Sequence, residues 1–543
     1  MMRATIRKNR MILDMSGGDP KDVATARQLA MNLPSPAQIT GGMSVQFTPA
    51  AAARLQASGL FKVSPAIKAY AKTFNETSGT PQAYEDISIN YKTQPWTHQN
   101  DSVRFAYHKP ASMLALEMGT GKSKVAVDLA TNWGCKTILI VCPKSVLGVW
   151  RREFQRHGNT YQMEILESGT AARKAKQIYE LLGDVADDEM KIVAVNYESL
   201  ISKQVSEMVM SYYWDLVILD ESHKIKSPTG KTSKFCAKLA EQASRRLCLT
   251  GTPMPHSPLD LFGQFRFLDA GIFGTAYARF RHRYAETHPM FPSKVKYWKN
   301  QDELNEIFSL ISYRVKAEDV LDLPEAIHEE IRVTLCAKAQ QIYRELQEQF
   351  VADVATGIVT TRNALTQLLR LQQVTSGFIT DDNGITSRVD SAKAEALLTI
   401  LDGLPETEPV VVFCRFRKDL EEISRLAEST GRRYGEISGD RKDLLTTGEM
   451  PDNVDLMAVQ IQSGGVGIDL TRARICVYYS LGFSLGDYLQ SLARCHRAGQ
   501  DQNVIYYHLV GEHTVDERVY KALSNRRDVV EVIMNDITGA NDG

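Results

Sequence analysis

Eight short apolar runs, spaced by helix-like stretches, limit this chain more than any other feature. T-I-L-I-V-C (137–142), I-V-A-V-N (192–196), L-V-I-L-D (216–220) and R-L-C-L-T-G (246–251) form one set. V-V-V-F-C (410–414), L-M-A-V-Q (456–460), I-C-V-Y-Y (475–479) and V-I-Y-Y-H-L-V (504–510) form another. Runs this short and this rich in β-branched residues read as strands buried on both faces. With amphipathic helices between them, they predict parallel sheets covered by helices on both sides. The pattern occurs twice, in about 90–255 and about 390–535. The expected fold class is therefore α/β, with two parallel-sheet lobes in tandem. A chain of 543 residues is also too long for one core. Between the sets, A-Q-Q-I-Y-R-E-L-Q-E-Q-F and N-A-L-T-Q-L-L-R-L-Q-Q-V are long runs of helix formers. The expected organisation is an accessory region at 1–85, a first lobe at 86–300, a helical insertion and linker at 301–390, a second lobe at 391–535 and a tail at 536–543. In the first region only an Ala-rich helical stretch near 48–57 stands out.

Charge excludes one simple reading. Lys plus Arg is 64 and Asp plus Glu is 65, so no global field draws the chain to a polyanion. Any such site has to be a local groove. The eight cysteines include no C-x-x-C pair, which argues against a metal knuckle or a disulfide framework and for a reducing compartment. No window approaches eighteen uninterrupted apolar residues, and the charged start has no apolar run behind it. Neither a membrane span nor a signal peptide is expected.

The stretch A-L-E-M-G-T-G-K-S, Ala115 to Ser123, falls where a strand gives way to a helix. Gly119, Thr120 and Gly121 let the backbone turn tightly and aim N–H groups at phosphate oxygens, helped by the helix N-terminus. Lys122 can bridge the outer phosphates and Ser123 can hold Mg²⁺. Position 116 is Leu rather than the Gly of the strict phosphate-loop pattern. About a hundred residues on, L-V-I-L-D-E-S-H places Asp220 and Glu221 at a strand end. Asp220 suits the Mg²⁺ shell, and Glu221 suits orienting or deprotonating water. In L-T-G-T-P, the hydroxyls of Thr250 and Thr252 are expected to reach His223 or Glu221 and relay the state of the γ-phosphate. L-A-R-C-H-R-A-G-Q carries Arg494 and Arg497 three apart, one helical turn, with a glycine that stops the turn.

Together these stretches resemble the helicase-like ATPases of superfamily two, and within it the SWI/SNF family of double-stranded DNA translocases. The resemblance covers about residues 90–535. It includes L-I-V-C-P-K-S-V-L-G-V-W-R-R-E-F, V-N-Y-E-S-L, L-T-G-T-P-M-P-H-S-P-L-D-L-F-G-Q-F-R-F-L, V-V-V-F-C-R-F, I-Q-S-G-G-V-G-I-D-L-T-R-A and the H-R-x-G-Q of the last motif. Asp469 stands where Asn is common, and F-S-L (483–485) replaces a usual Trp-Asn-Pro. The resemblance implies two RecA-like lobes that hydrolyse ATP with Mg²⁺ between them. Arg494 and Arg497 of the second lobe would then reach the γ-phosphate held by the first.

It also implies a track of double-stranded or branched DNA, gripped through phosphates. The expected contacts are Lys144, Ser438, Gly439, Gly464 and Gly465, with added charge from Arg151, Arg152, Arg156 or the run A-R-F-R-H-R-Y (278–284). Gln99 is expected to read adenine, as a Gln upstream of the phosphate loop does in relatives. The implied enzyme is a minimal bacterial or phage DNA-dependent ATPase, monomeric and cytoplasmic (nuclear if eukaryotic), serving replication, recombination or repair beside proteins of those processes. Two alternatives remain at this stage: a strand-separating or annealing helicase, and an ATP-gated DNA-binding scaffold that does not step.

Overall fold

The first set of apolar runs pairs into one seven-stranded sheet in the computed structural model. The structure describes all residues except 1, 8–9, 78–86, 184–188, 256, 289–290, 356–360, 382–383, 464–467 and 526–543. It divides into two units, Met1–Val320 and Leu321–Gly543. In the first, the strand order is Ser312–Val315, Ala111–Leu116, Ala243–Leu249, Trp214–Asp220, Thr137–Cys142, Met190–Asn196, Tyr161–Ile165. Every neighbouring pair is parallel. The strands Ala111–Leu116 and Met190–Asn196 are buried at every residue, as expected for a sheet covered on both faces. Parallel order puts all the strand C-termini on one edge, where ligand sites of open α/β sheets form.

Residues 1–85 hold more order than the sequence reading found. Strands Ala37–Ile39, Gly42–Gln46, Arg10–Asp14, Met2–Arg7 and Phe61–Val63 form a five-stranded sheet in that order. The Ala-rich stretch is the helix Pro49–Ala57, capped by the Thr48 side chain and started by proline. This module has its own core, with Ala4, Met11, Leu13, Val45 and Leu55 fully buried. It is fastened to the rest of the unit by the Ala50 N–H, which donates to Asp269 Oδ2 at 3.0 Å. Arg54 Nη1 donates to the Gly271 carbonyl at 3.0 Å. Arg279 Nη1 reaches Met31 O and Asn32 Oδ1 at 2.6 Å each. Arg283 pairs with Glu303. Two arginines of the basic run 278–284 are thus engaged inside the unit.

The second set of runs forms a six-stranded parallel sheet. Its order is Ala326–Val333, Val504–Gly511, Ile475–Tyr478, Val410–Cys414, Leu456–Gln460, Tyr434–Ile437. The middle segment is divided differently from the expected 301–390 insertion. Ser312–Val315 joins the edge of the first sheet, and Ala326–Val333 joins the edge of the second. Edge strands carry polar and charged residues, as A-I-H-E-E-I-R-V does, so they lack the apolar signature of the central ones. The helices Ala337–Ala355 and Thr361–Thr375 are present as expected.

Arg432 organises one corner of this unit. It is buried, and its guanidinium donates to the carbonyls of Leu401, Leu404, Pro405, Glu406 and Glu408 at 2.8–3.0 Å. These carbonyls lie at the end of the helix Ala392–Asp402 and in the turn toward the central strand, where a helix leaves acceptors unsatisfied. Arg432→Ala is expected to lower stability by about 3 kcal/mol, read as a shift in the midpoint of chemical denaturation. No described helix is long and apolar enough to cross a membrane.

Candidate active site

The three chemical motifs of the first unit end three adjacent strands. Ala111–Leu116 leads to the glycine-rich turn, Ala243–Leu249 to Thr250, and Trp214–Asp220 to Glu221. Parallel pairing therefore gathers residues more than a hundred positions apart along one sheet edge.

In the turn, Gly119 and Gly121 have φ of 80° and 87°, a region open to glycine and costly for side chains. A Cβ on Gly121 would also overlap the Gln99 amide. The helix Lys122–Asn132 starts directly after it, so Lys122 and Ser123 occupy its first turn. Lys122 Nζ is held at the strand end, donating to Leu116 O at 2.9 Å and Glu117 O at 3.4 Å. The Thr120 hydroxyl donates to Glu117 O at 2.7 Å. Gln99 is buried, with Nε2 donating to Thr120 O at 3.1 Å and Oε1 accepting the Trp96 N–H at 3.0 Å. Here it acts as a strut under the turn. One N–H and one lone pair of its amide are left over from these two bonds.

Asp220 is buried, and each oxygen takes one donor. Glu221 N–H reaches Oδ1 at 3.0 Å, and Trp150 Nε1 reaches Oδ2 at 3.2 Å. Burial pushes its pKa up; the Glu221 charge adds to this, and the Lys122 ammonium opposes it. An ionised carboxylate has about four lone-pair sites, so Asp220 keeps acceptor capacity for a hard cation, and the Ser123 hydroxyl supplies a second oxygen ligand. This donor set fits Mg²⁺. Glu221 sits at φ 50°, a left-handed conformation rare for a residue with a side chain. One ring nitrogen of His223 lies 3.3 Å from Glu221 Oε2 and 3.3 Å from Thr250 Oγ1. Thr252 joins through its backbone N–H, which donates to Thr250 Oγ1 at 3.1 Å. The structure thus places Glu221 and Thr250 beside the same nitrogen of His223, its Nδ1.

Three supporting residues were not singled out from the sequence. Gln264 is fully buried; it accepts from the Ser222 hydroxyl at 2.7 Å and donates to Pro253 O at 2.7 Å, joining the D-E-S-H and T-G-T-P segments. The Tyr197 hydroxyl donates to Asp220 O at 2.8 Å. His98 Nε2 lies 2.8 Å from Thr120 O. Gln264 shows in the sequence only as a polar residue inside an apolar stretch, His98 sits among polar residues, and spacing does not aim such side chains.

In the second unit the helix Leu485–Cys495 ends before Arg497. A spacing of one helical turn therefore does not put both arginines on one helix. Arg494 is buried in the last turn at 5% exposure, whereas Arg497 lies in the turn beyond it. His496 caps the helix, and its ring nitrogen meets Pro324 O at 2.7 Å. Gly499 has φ 101°. Gln500 Nε2 then donates to Thr471 O at 2.9 Å. Of the expected DNA contacts, Lys144 is exposed at the start of the short helix Lys144–Val146. Ser438 and Gly439 follow the strand Tyr434–Ile437; Ser438 is buried and Gly439 exposed. Gly464 and Gly465 lie outside the described residues.

The SNF2-related domain model matches residues 95–377, and the helicase conserved C-terminal domain model matches residues 392–499. The chain belongs to the SNF2-related family. It is a helicase-like ATPase. A Caenorhabditis elegans relative, the SWI/SNF-related matrix-associated actin-dependent regulator of chromatin subfamily A-like protein 1 homolog, is 26% identical over 453 residues. That match covers 80% of this chain and 61% of the relative, so the SNF2-family chain spans less than two thirds of it. Protein p41 of Acyrthosiphon pisum secondary endosymbiont phage 1 is 25% identical over 481 residues, covering 84% of this chain and 98% of the phage protein. A solved structure of the Sulfolobus solfataricus SWI2/SNF2 ATPase core in complex with dsDNA is similar at 21% identity and a TM-score of 0.39, covering 84% of this chain and 95% of that one.

Proposed function

We propose that this SNF2-family ATPase is a motor that moves along double-stranded DNA without separating the strands. The observation carrying the ATPase chemistry is the convergence of Lys122, Asp220, Glu221, His223 and Thr250 on one sheet edge. In this reading the glycine-rich turn binds the phosphates of ATP through its N–H groups and Lys122. Asp220 and Ser123 hold Mg²⁺, which neutralises charge on the phosphate oxygens. Glu221 orients the attacking water and takes its proton. Arg494 and Arg497, carried by the second unit, meet the γ-phosphate in the closed enzyme and stabilise the charge that spreads over its oxygens. His223, between Glu221 and Thr250, makes the base sensitive to the state of the T-G-T-P segment. Lys144, Ser438 and Gly439, together with Gly464 and Gly465, grip the backbone of the track, and a grip on phosphate ignores sequence. The setting that fits is replication, recombination or repair.

An ATPase titration with duplex, forked, single-stranded DNA and RNA tests this, run beside triplex displacement and forked-duplex unwinding. Duplex is expected to stimulate hydrolysis most, and the third strand of a triplex is expected to be displaced while forks stay paired. Equal stimulation by RNA, or strand separation at the fork without triplex displacement, is the outcome that rejects duplex translocation.

A further inference from the structure

We propose that Asp469 is a positioning residue that holds Arg497 in reserve, so that the resting enzyme hydrolyses ATP more slowly than its parts allow. The proposal deepens the finger reading of Arg497 and rests on it. Asp469 Oδ2 lies 3.9 Å from Arg497 Nη1. The same guanidinium nitrogen donates to Ile468 O at 3.5 Å, and Arg497 Nε is buried without a hydrogen-bond partner among the described residues. The charged end of Arg497 therefore leans on the Ile468–Asp469 segment.

Asp469 is fixed independently of the arginine. Its N–H donates to Gly448 O at 2.9 Å, and its carbonyl accepts the Met450 N–H at 3.1 Å. Its Oδ1 accepts the Thr471 N–H at 3.0 Å and the Thr471 hydroxyl at 2.6 Å. Leu470 N–H donates to Arg494 O at 3.0 Å, and Gln500 ties Thr471 from the far side of the arginine turn. The two oxygens of one carboxylate thus have separate tasks. Oδ1 shapes the turn, and Oδ2 faces the guanidinium. A phosphate that recruits Arg497 has to compete with an anion already in place. Both side chains are 30% exposed, so the hold is that of a partly screened ion pair, releasable rather than permanent.

Asp469→Asn separates the tasks, since an amide oxygen still accepts both Thr471 bonds while the charge is gone. The whole chain is assayed for ATP turnover without DNA, across a salt series. Basal turnover number is expected to rise roughly two- to five-fold, the weight of a partly exposed ion pair. KM for ATP and the melting temperature should stay at wild-type values. The gain should shrink as salt rises, because salt already screens the pair in the wild type. Arg497→Ala and the double variant run alongside. An unchanged or lowered basal rate in Asp469→Asn, with Arg497→Ala having lost stimulated turnover, overturns the hold and leaves the finger standing. The same gain in the Arg497→Ala background overturns it too, because the effect then bypasses Arg497. Full activity in Arg497→Ala removes the finger reading and this proposal with it.

Discussion

Arg497→Ala is expected to bind ATP as the wild type does and to lose DNA-stimulated hydrolysis by about 10³-fold or more. A positioned arginine at the γ-phosphate is worth about 10³–10⁵ in rate, or roughly 4–7 kcal/mol of barrier. The structure gives Arg497 little else to do. Its carbonyl contact is long, 3.5 Å, and its carboxylate contact is 3.9 Å on a side chain 30% exposed. Such contacts carry about 1 kcal/mol or less of stability, so the variant should fold and melt near wild type. Arg494 is a poorer test, because it is buried in the last helical turn and its removal also disturbs packing. The check is a fluorescent-nucleotide titration for binding, beside steady-state turnover with saturating duplex. Wild-type turnover in Arg497→Ala would take the finger away from this residue.

How much of this was readable beforehand follows from burial. Strands such as Met190–Asn196 and Val410–Cys414, buried at every position, leave continuous apolar runs, and those runs placed both sheets. The glycine-rich turn was readable because its positive φ at Gly119 and Gly121 demands glycine. The N-terminal sheet was not, because two of its strands have only three residues and M-R-A-T-I-R, buried on one face, leaves no continuous apolar run. Ala326–Val333 escaped because it lies at an edge, where charge is allowed. Residue spacing also misplaced Arg497. The helix stops at Cys495, where His496 turns its ring to the Pro324 carbonyl, a contact 172 residues distant in sequence. The Gln264 bridge and the Gln99 strut show the same limit, since which backbone group a buried amide satisfies is decided by tertiary packing.

Lys122→Ala should fail at an earlier step than Arg497→Ala, and the contrast separates the two units' contributions. Lys122 begins the helix after the glycine-rich turn, and its ammonium is held by Leu116 O and Glu117 O at the strand end. It is also the cation that offsets burial and the Glu221 charge at Asp220. Removing it takes a positive charge from the phosphates and leaves the buried Asp220–Glu221 pair with less compensation, which disfavours the ionised carboxylate that a Mg²⁺ shell needs. Loss of a preorganised charge at a phosphoryl site costs about 10²–10³ in rate, and here binding weakens as well. We therefore expect hydrolysis to fall to background with and without DNA, together with weaker ATP binding, whereas Arg497→Ala keeps its nucleotide. A Lys122→Ala chain that binds and turns over ATP normally would place the phosphate site elsewhere. The geometry argues against that outcome, because Ala111–Leu116, which leads to this lysine, pairs with Ala243–Leu249, which leads to Thr250, and that strand pairs with Trp214–Asp220, which leads to Glu221.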